Sequence, residues 1–245
     1  LLNDLGVDAY RFSIAMPRIM PTPNGIPNAK GLDFYERIVD TLLEYGIKPV
    51  VTLYHWDLPQ YLEDAGGWLN RVTSYALGDY AAVVAKRLGD RVDTWTTLNE
   101  PWCASYLSYG AKEQAPGLGL GPGALPAVHH LNLADGLMVQ AVRGIVGDKS
   151  KYSVTLNMPF NRGDADACHR LDLIANRAFL DPMLRGRYPD ELFAITKGIC
   201  DWSFIQPGDL ENAHQPIDVL GVNYYSTNRV AMSDRPQFPQ ETGPS

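Results

Sequence analysis

The stretch Arg91–Tyr106 reads RVDTWTTLNEPWCASY, and it decides between the folds open to this chain. Residues 92–99 form a β-branched and aromatic run that reads as a strand. Pro101 cannot donate to a ladder, so the strand stops there and leaves Asn99 and Glu100 at its carboxyl end, with Trp102 just beyond. Working outward, strand runs recur at 7–14, 47–56, 151–158 and 216–226, and helical periodicity at 31–46, 74–90, 124–147 and 164–179. In the first helix the apolar stripe is read as Phe34, Ile38, Leu42 and Tyr45, closed by Gly46. In the second it is Tyr80, Val83, Val84 and Leu88. No short-period repeat or linker interrupts the alternation.

Strands alternating with helices imply parallel pairing through right-handed crossovers. An open doubly wound sheet and a (β/α)8 TIM barrel both satisfy this. The open sheet should carry a glycine-rich phosphate turn between strand and helix; GLGLGPG at 117–123 sits in a long loop instead. A barrel gathers its functional groups at the carboxyl ends of several strands. That is the pattern here: Arg11 with Ser13, His55 with Trp56, Asn99 with Glu100, then Asn157, then Asn223 with Tyr225. The expected class is therefore α/β, a (β/α)8 TIM barrel in a single partial domain over 1–245.

Composition narrows the function. A formal net charge of −7 argues against a nucleic-acid partner, and no apolar run reaches the ~20 residues of a membrane helix. Cys103, Cys168 and Cys200 have no CxxC spacing and read as free thiols of a reducing compartment, from which a cytoplasmic location is expected. The opening LLNDLGVDAY has neither an initiating Met nor the features of a secretory signal, and SDRPQFPQETGPS at 233–245 reads as a Pro-rich loop with no element to close it. Both ends are read as cut from something longer.

Glu100, between an amide and aromatics, suits a general acid, against the plainer reading of a surface Glu opening a loop. His55 beside Trp56 suits a sugar site, the indole covering C–H faces and the imidazole taking a hydroxyl. Asp57, before Leu58–Pro59, reads as a turn residue. No ligand spacing supports a metal, since His129 and His130 are adjacent on a helix and face different ways. No GxSxG elbow occurs, and nothing pairs Cys103 with a base. Arg11, on an apolar strand, is expected to be buried and to need an anionic partner.

Taken together, YRFSIAMPRI (10–19), GIKPVVTLYHWDLP (46–59), WTTLNEPWC (95–103), APG (115–117), FLDPMLRGRYP (179–189) and DVLGVNYYS (218–226) resemble glycoside hydrolase family 1, the family of bacterial β-glucosidases. The resemblance covers nearly the whole chain and implies barrel strands 2 to 6, without strands 1, 7 and 8. It implies a retaining β-glycosidase acting on terminal β-D-glucosides without metal or organic cofactor. Glu100 would be the acid/base and Asn99 would hold the sugar 2-hydroxyl. His55, Trp56 and Asn223 would contact the glycone and Trp102 the leaving group, while Arg11 and Tyr225 would hydrogen-bond the nucleophile. Retention takes two carboxyls about 5–5.5 Å apart, and the family's nucleophile lies in a Thr-Glu-Asn-Gly motif that does not occur in 1–245.

The chain departs from the family at Met16 (usually Trp), Lys112 and Gln114 (usually Gly and His) and Asp135 (usually His). A 6-phospho-β-glycosidase, a non-catalytic sugar-binding fragment and half of a split barrel stay open as readings. Two open sheet edges would favour association, and the 245 residues alone are expected to lack normal turnover.

Overall fold

The computed structural model describes residues 1–232 and 239–244. Numbered along the chain, the strands are β1 (Ala9–Ser13), β2 (Lys48–Tyr54), β3 (Thr94–Asn99), β4 (Lys151–Asn157), β5 (Phe160–Gly163), β6 (Val219–Asn223), β7 (Thr227–Met232) and β8 (Pro239–Pro244). The main sheet runs β1-β2-β3-β4-β6. Its pairs are parallel, with Ala9 opposite Lys48 and Val50 opposite Thr94. Sequential parallel strands with helices between them make an incomplete (β/α)8 barrel, as expected.

The chain divides into two compact units, each discontinuous in sequence. The first comprises 1–99, 134–155 and 216–221. Two of its helices are α1 (Ala29–Glu44) and α2 (Val72–Leu88). In α1 the buried stripe is Leu32, Tyr35, Val39 and Leu42, whereas Phe34 and Tyr45 are exposed. Two apolar stripes overlap on this helix, and only Leu42 belongs to both. The one that faces inward is chosen by Gly31, where a Cβ would fall 2.4 Å from the Arg18 carbonyl oxygen, and by the Tyr35 hydroxyl, which accepts from Ala15 N–H at 2.9 Å. Phe34 instead lies under the Arg18 guanidinium, whose Cζ is 4.6 Å from the Phe34 ring centroid. Helix α2 buries Tyr80, Val84 and Leu88 as read, with Leu77 and Ala81 in place of Val83.

Tyr80 ties α2 to the sheet. Its hydroxyl lies 2.9 Å from the carbonyl oxygens of both Ile14 and Leu53, beyond the end of β1 and on β2. Tyr80→Phe keeps the ring and removes that donor from two buried acceptors. Chemical denaturation should show a loss of about 1–2 kcal/mol; an unchanged midpoint would mean the hydroxyl contributes nothing to the fold.

The inner strands β2 and β3 are almost wholly buried, with Val51, Leu53, Trp95 and Leu98 shut away from solvent. The outer strands β1 and β6 are not. Tyr10, Val219 and Leu220 are exposed, because an edge strand has a neighbour on one side only.

The second unit comprises 100–133, 156–215 and 222–245. It holds a small sheet ordered β5-β7-β8, parallel between β5 and β7 and antiparallel between β7 and β8. This corrects the expectation of a Pro-rich loop with no closing element at 239–244, since Pro239–Pro244 is a strand; the rest of that stretch, 233–238 and 245, lies outside the described residues. Its two prolines fall at the strand ends, opposite Met232 and Asn228, where a missing N–H costs least. Gly163 closes β5 against β7 at φ 128°, with Val230 O 2.1 Å from where a Cβ would stand. No helix among the described residues is long and apolar enough to cross a membrane.

Candidate active site

The first unit brings Arg11, His55, Trp56 and Asn99 together. Arg11 donates through Nε to Thr52 Oγ1 at 2.8 Å and through Nη2 to Asn99 Oδ1 at 2.9 Å. The residue is exposed on its edge strand, contrary to the expectation of burial, and the Thr52 and Asn99 oxygens it reaches are neutral acceptors. A guanidinium only donates, so Asn99 must turn Oδ1 toward it and Nδ2 toward His55. The Nδ2–His55 Nε2 distance is 3.2 Å. His55 Nε2 is then the acceptor, and the neutral ring carries its proton on Nδ1. Trp56 Nε1 donates to the Asn99 carbonyl at 2.8 Å, and the His55 and Trp56 rings meet edge-on at 5.1 Å. Trp56 sits at φ 84°, in the left-handed region that a bulky side chain rarely adopts.

The second unit opens with Glu100, whose φ is 47°. Strained backbone just beyond two strand ends is the kind of local cost that clusters at functional sites. Glu100 is 3% exposed, and its carboxylate is held from both sides. Oε1 accepts from Asn223 Nδ2 at 2.6 Å and from Tyr225 O–H at 3.1 Å; Oε2 accepts from Cys103 Sγ at 3.3 Å. Burial first, and then the neighbouring Glu100 carboxylate, pushes the Cys103 thiol well above its usual range. Cys103 is thus a thiol donor steadying Glu100, which agrees with the absence of any nucleophile signature around it.

Immediately after Glu100 the chain winds into a π-helical segment, Cys103–Gly110. Wide turns of this kind recur at functional sites. Trp102 is half-buried and packs on Tyr106 with centroids 5.9 Å apart. Asn223 is half-buried and Tyr225 is 79% exposed, so the ring that reaches Glu100 is open to solvent along most of its surface. The described residues contain no cluster of three or more His, Cys, Asp and Glu placed to hold a metal. His129 is committed elsewhere in this unit, with Nε2 2.9 Å from Asp209 Oδ2 and Nδ1 3.1 Å from the Tyr188 hydroxyl.

The model of glycosyl hydrolase family 1 matches residues 1–244. The chain belongs to that family. Among its curated relatives, a bifunctional β-D-glucosidase/β-D-fucosidase of Bifidobacterium breve is 70% identical over 99% of this chain and 54% of its own length. The thermostable β-glucosidase B of Thermobispora bispora is 49% identical over 96% of this chain and 49% of its own. Among solved structures, the β-glucosidase of Thermotoga maritima in complex with cyclophellitol superposes with a TM-score of 0.91 at 38% identity, covering 99% of this chain and 55% of that one. A psychrophilic β-glucosidase from Micrococcus antarcticus gives 0.88 at 47%, covering 95% and 50%. The chain spans about half the length of these relatives.

Within the family 1 chain, sequence reading missed three groups around the candidate residues. Thr52 lies two residues after Val50, the register partner of Arg11, and so shares its face. The alternation of β2 carried that signal. Cys103 sits one turn beyond Glu100, a spacing that reads as helical contact only once a helix is expected there. Asp135, noted only as a departure, is buried against Thr97 of β3.

Proposed function

We propose that the enzyme containing this chain is a retaining β-glucosidase in which Glu100 is the general acid/base, 1–245 forming part of one catalytic domain. The observation that carries the reading is the buried Glu100 carboxylate, set at the end of a barrel strand and held by Asn223, Tyr225 and Cys103. The β-glucosidase names of the relatives support the substrate class. In the first half-reaction Glu100, as the acid, gives its proton to the glycosidic oxygen while a second carboxylate attacks the anomeric carbon. In the second half-reaction Glu100, now the base, takes a proton from the water that cleaves the glycosyl-enzyme. Both electron pairs move at the anomeric carbon, so no redox partner is involved.

Roles follow for the other candidates. His55, Trp56 and Asn99 bind the glycone hydroxyls, with Arg11 fixing which way the Asn99 amide points. Asn223 and Tyr225 orient Glu100, and Trp102 meets the leaving group. The attacking carboxylate comes from a Thr-Glu-Asn-Gly segment, which is absent from 1–245.

Purified 1–245 should therefore release no p-nitrophenol from p-nitrophenyl β-D-glucoside above a Glu100→Gln blank. An enzyme containing this chain and the second carboxylate should release glucose first as the β-anomer, read by proton NMR within seconds of mixing. Retaining turnover by the 245 residues alone would overturn the placement of the nucleophile, and α-anomer release would overturn the mechanism.

A further inference from the structure

β3 approaches Asn99 through a bulge. Thr96 pairs with Ser153 and Asn99 with Thr155, so Thr97 and Leu98 stand opposite the single residue Val154. Side chains alternate along a strand, and an unbulged β3 would send Thr97 and Asn99 to the same face. The bulge instead puts Asn99 in phase with Thr96, on the face where Arg11 bridges it to Thr52. Thr97 points the other way, toward helix α3 (Leu125–Val146), and there its hydroxyl donates to Asp135 Oδ1. The same hydroxyl lies 3.3 Å from the Ser153 carbonyl oxygen, on the strand across the bulge. Thr97 and Asp135 are both buried.

We propose that Asp135 is a positioning residue whose bond to Thr97 locks the β3 bulge, and so sets the direction of Asn99 and of the peptide leading into Glu100. A bulge leaves a residue without its ladder partner and bends the strand, which is how strands re-aim a side chain. Asp135 supplies an anchor on the bulged residue itself, through its bond to Thr97. A carboxyl is a costly way to fill buried volume if filling is its only task.

The anchor also has two proton arrangements. Ionised, Asp135 accepts the Thr97 hydroxyl proton. Protonated, it donates to the Thr97 oxygen and releases that hydroxyl to the Ser153 carbonyl, so the cross-strand tie tightens. Burial favours the protonated form and the Thr97 hydroxyl the ionised one.

The catalytic consequence rests on the assignment of Glu100 made above, whereas the bulge and its anchor do not. The test is amide hydrogen exchange on the 245-residue chain at pH 6. Asp135→Ala and Thr97→Val should each speed exchange of the Leu98, Asn99 and Glu100 amides by about tenfold or more, while Ala9–Ser13 and Lys48–Tyr54 stay within about twofold of the parent. Asp135→Asn, whose amide oxygen still accepts from Thr97, should restore near-parental protection. A uniform rise across the sheet would mean Asp135 is only packing, and no change at Leu98–Glu100 would mean it anchors nothing; either overturns the proposal. If Asp135→Ala does not fold, Thr97→Val decides on the same criteria. In an active enzyme containing the chain, local loosening without loss of kcat would leave the anchor standing and count against Glu100.

Discussion

Glu100→Gln, made in an active enzyme containing this chain, should lower kcat/KM for alkyl β-glucosides by roughly 10²–10⁴-fold, the span that general acid–base catalysis ordinarily supplies. The change is nearly isosteric. The Gln side-chain oxygen can still accept from Asn223 and Tyr225, which now converge on Glu100 Oε1 at 2.6 and 3.1 Å. The fold around the site should persist, and the effect should be chemical. Its signature is the dependence on leaving group. An alkyl alcohol needs a proton as it departs and a dinitrophenolate does not, so the first half-reaction should be crippled for the former and nearly spared for the latter. For the activated substrate the second half-reaction then limits, because the water has lost its base, and kcat and KM should fall together. A series of aryl glucosides spanning leaving-group acidity checks this directly. Equal loss on every member would remove Glu100 from the acid role.

Stability of the 245-residue chain should fall as pH rises from about 4 to about 7, and Asp135→Asn should flatten that slope. Burial lifts the Asp135 carboxyl from 3.8 to about 7, against a smaller opposing pull from Thr97. Between those two values the folded chain holds a proton that the unfolded chain has released. The difference in bound protons is then negative, and the unfolding free energy declines with pH. The contribution is fully present below the unfolded value and lost as pH climbs through the folded one, about 4 kcal/mol as an order of magnitude across the window. Glu36 works in the opposite sense and elsewhere on the pH axis. Its side-chain bonds to Arg87 and Arg91 hold it near 2, so its contribution exists above about 4.5 and disappears on acidification. The two windows barely overlap, and the difference in urea midpoint between the parent and Asp135→Asn, followed from pH 4 to 8, reads the Asp135 contribution against the other groups titrating there, the buried His129–Asp209 pair among them. A slope that survives Asp135→Asn would assign the titration to another group.

Much of this was legible in residues alone. Period-two and period-3.6 patterning placed the five strands of the main sheet and four of the helical stretches, because burial of one face is a local demand repeated along the chain. The candidate residues were legible for a similar reason. Asn99 and Glu100 stop at a proline, His55 and Trp56 follow an unbroken apolar strand, and Asn223 closes another. Less legible were stripes and termini. The α1 stripe reads one step off, since Phe34 and Ile38 are as apolar as Tyr35 and Val39, and it takes Gly31 against Arg18 and the Tyr35 hydroxyl on Ala15 to show which side faces in. The Pro-rich stretch holding β8 reads as loop, yet each of its prolines occupies a strand end.

Sequence by itself determined the fold class and the family and singled out Glu100 as the candidate acid, for these depend on residue type and order. Tertiary structure alone decided which groups hold the Glu100 carboxylate. Asn223 and Tyr225 come from more than a hundred positions away, and a hydrogen bond of that span has no local pattern to announce it. It also decided which way Asn99 points. Alternation along TWTTLN assigns Asn99 to the face of Thr97, and only the register with β4, two residues set against one, turns it to the face of Arg11.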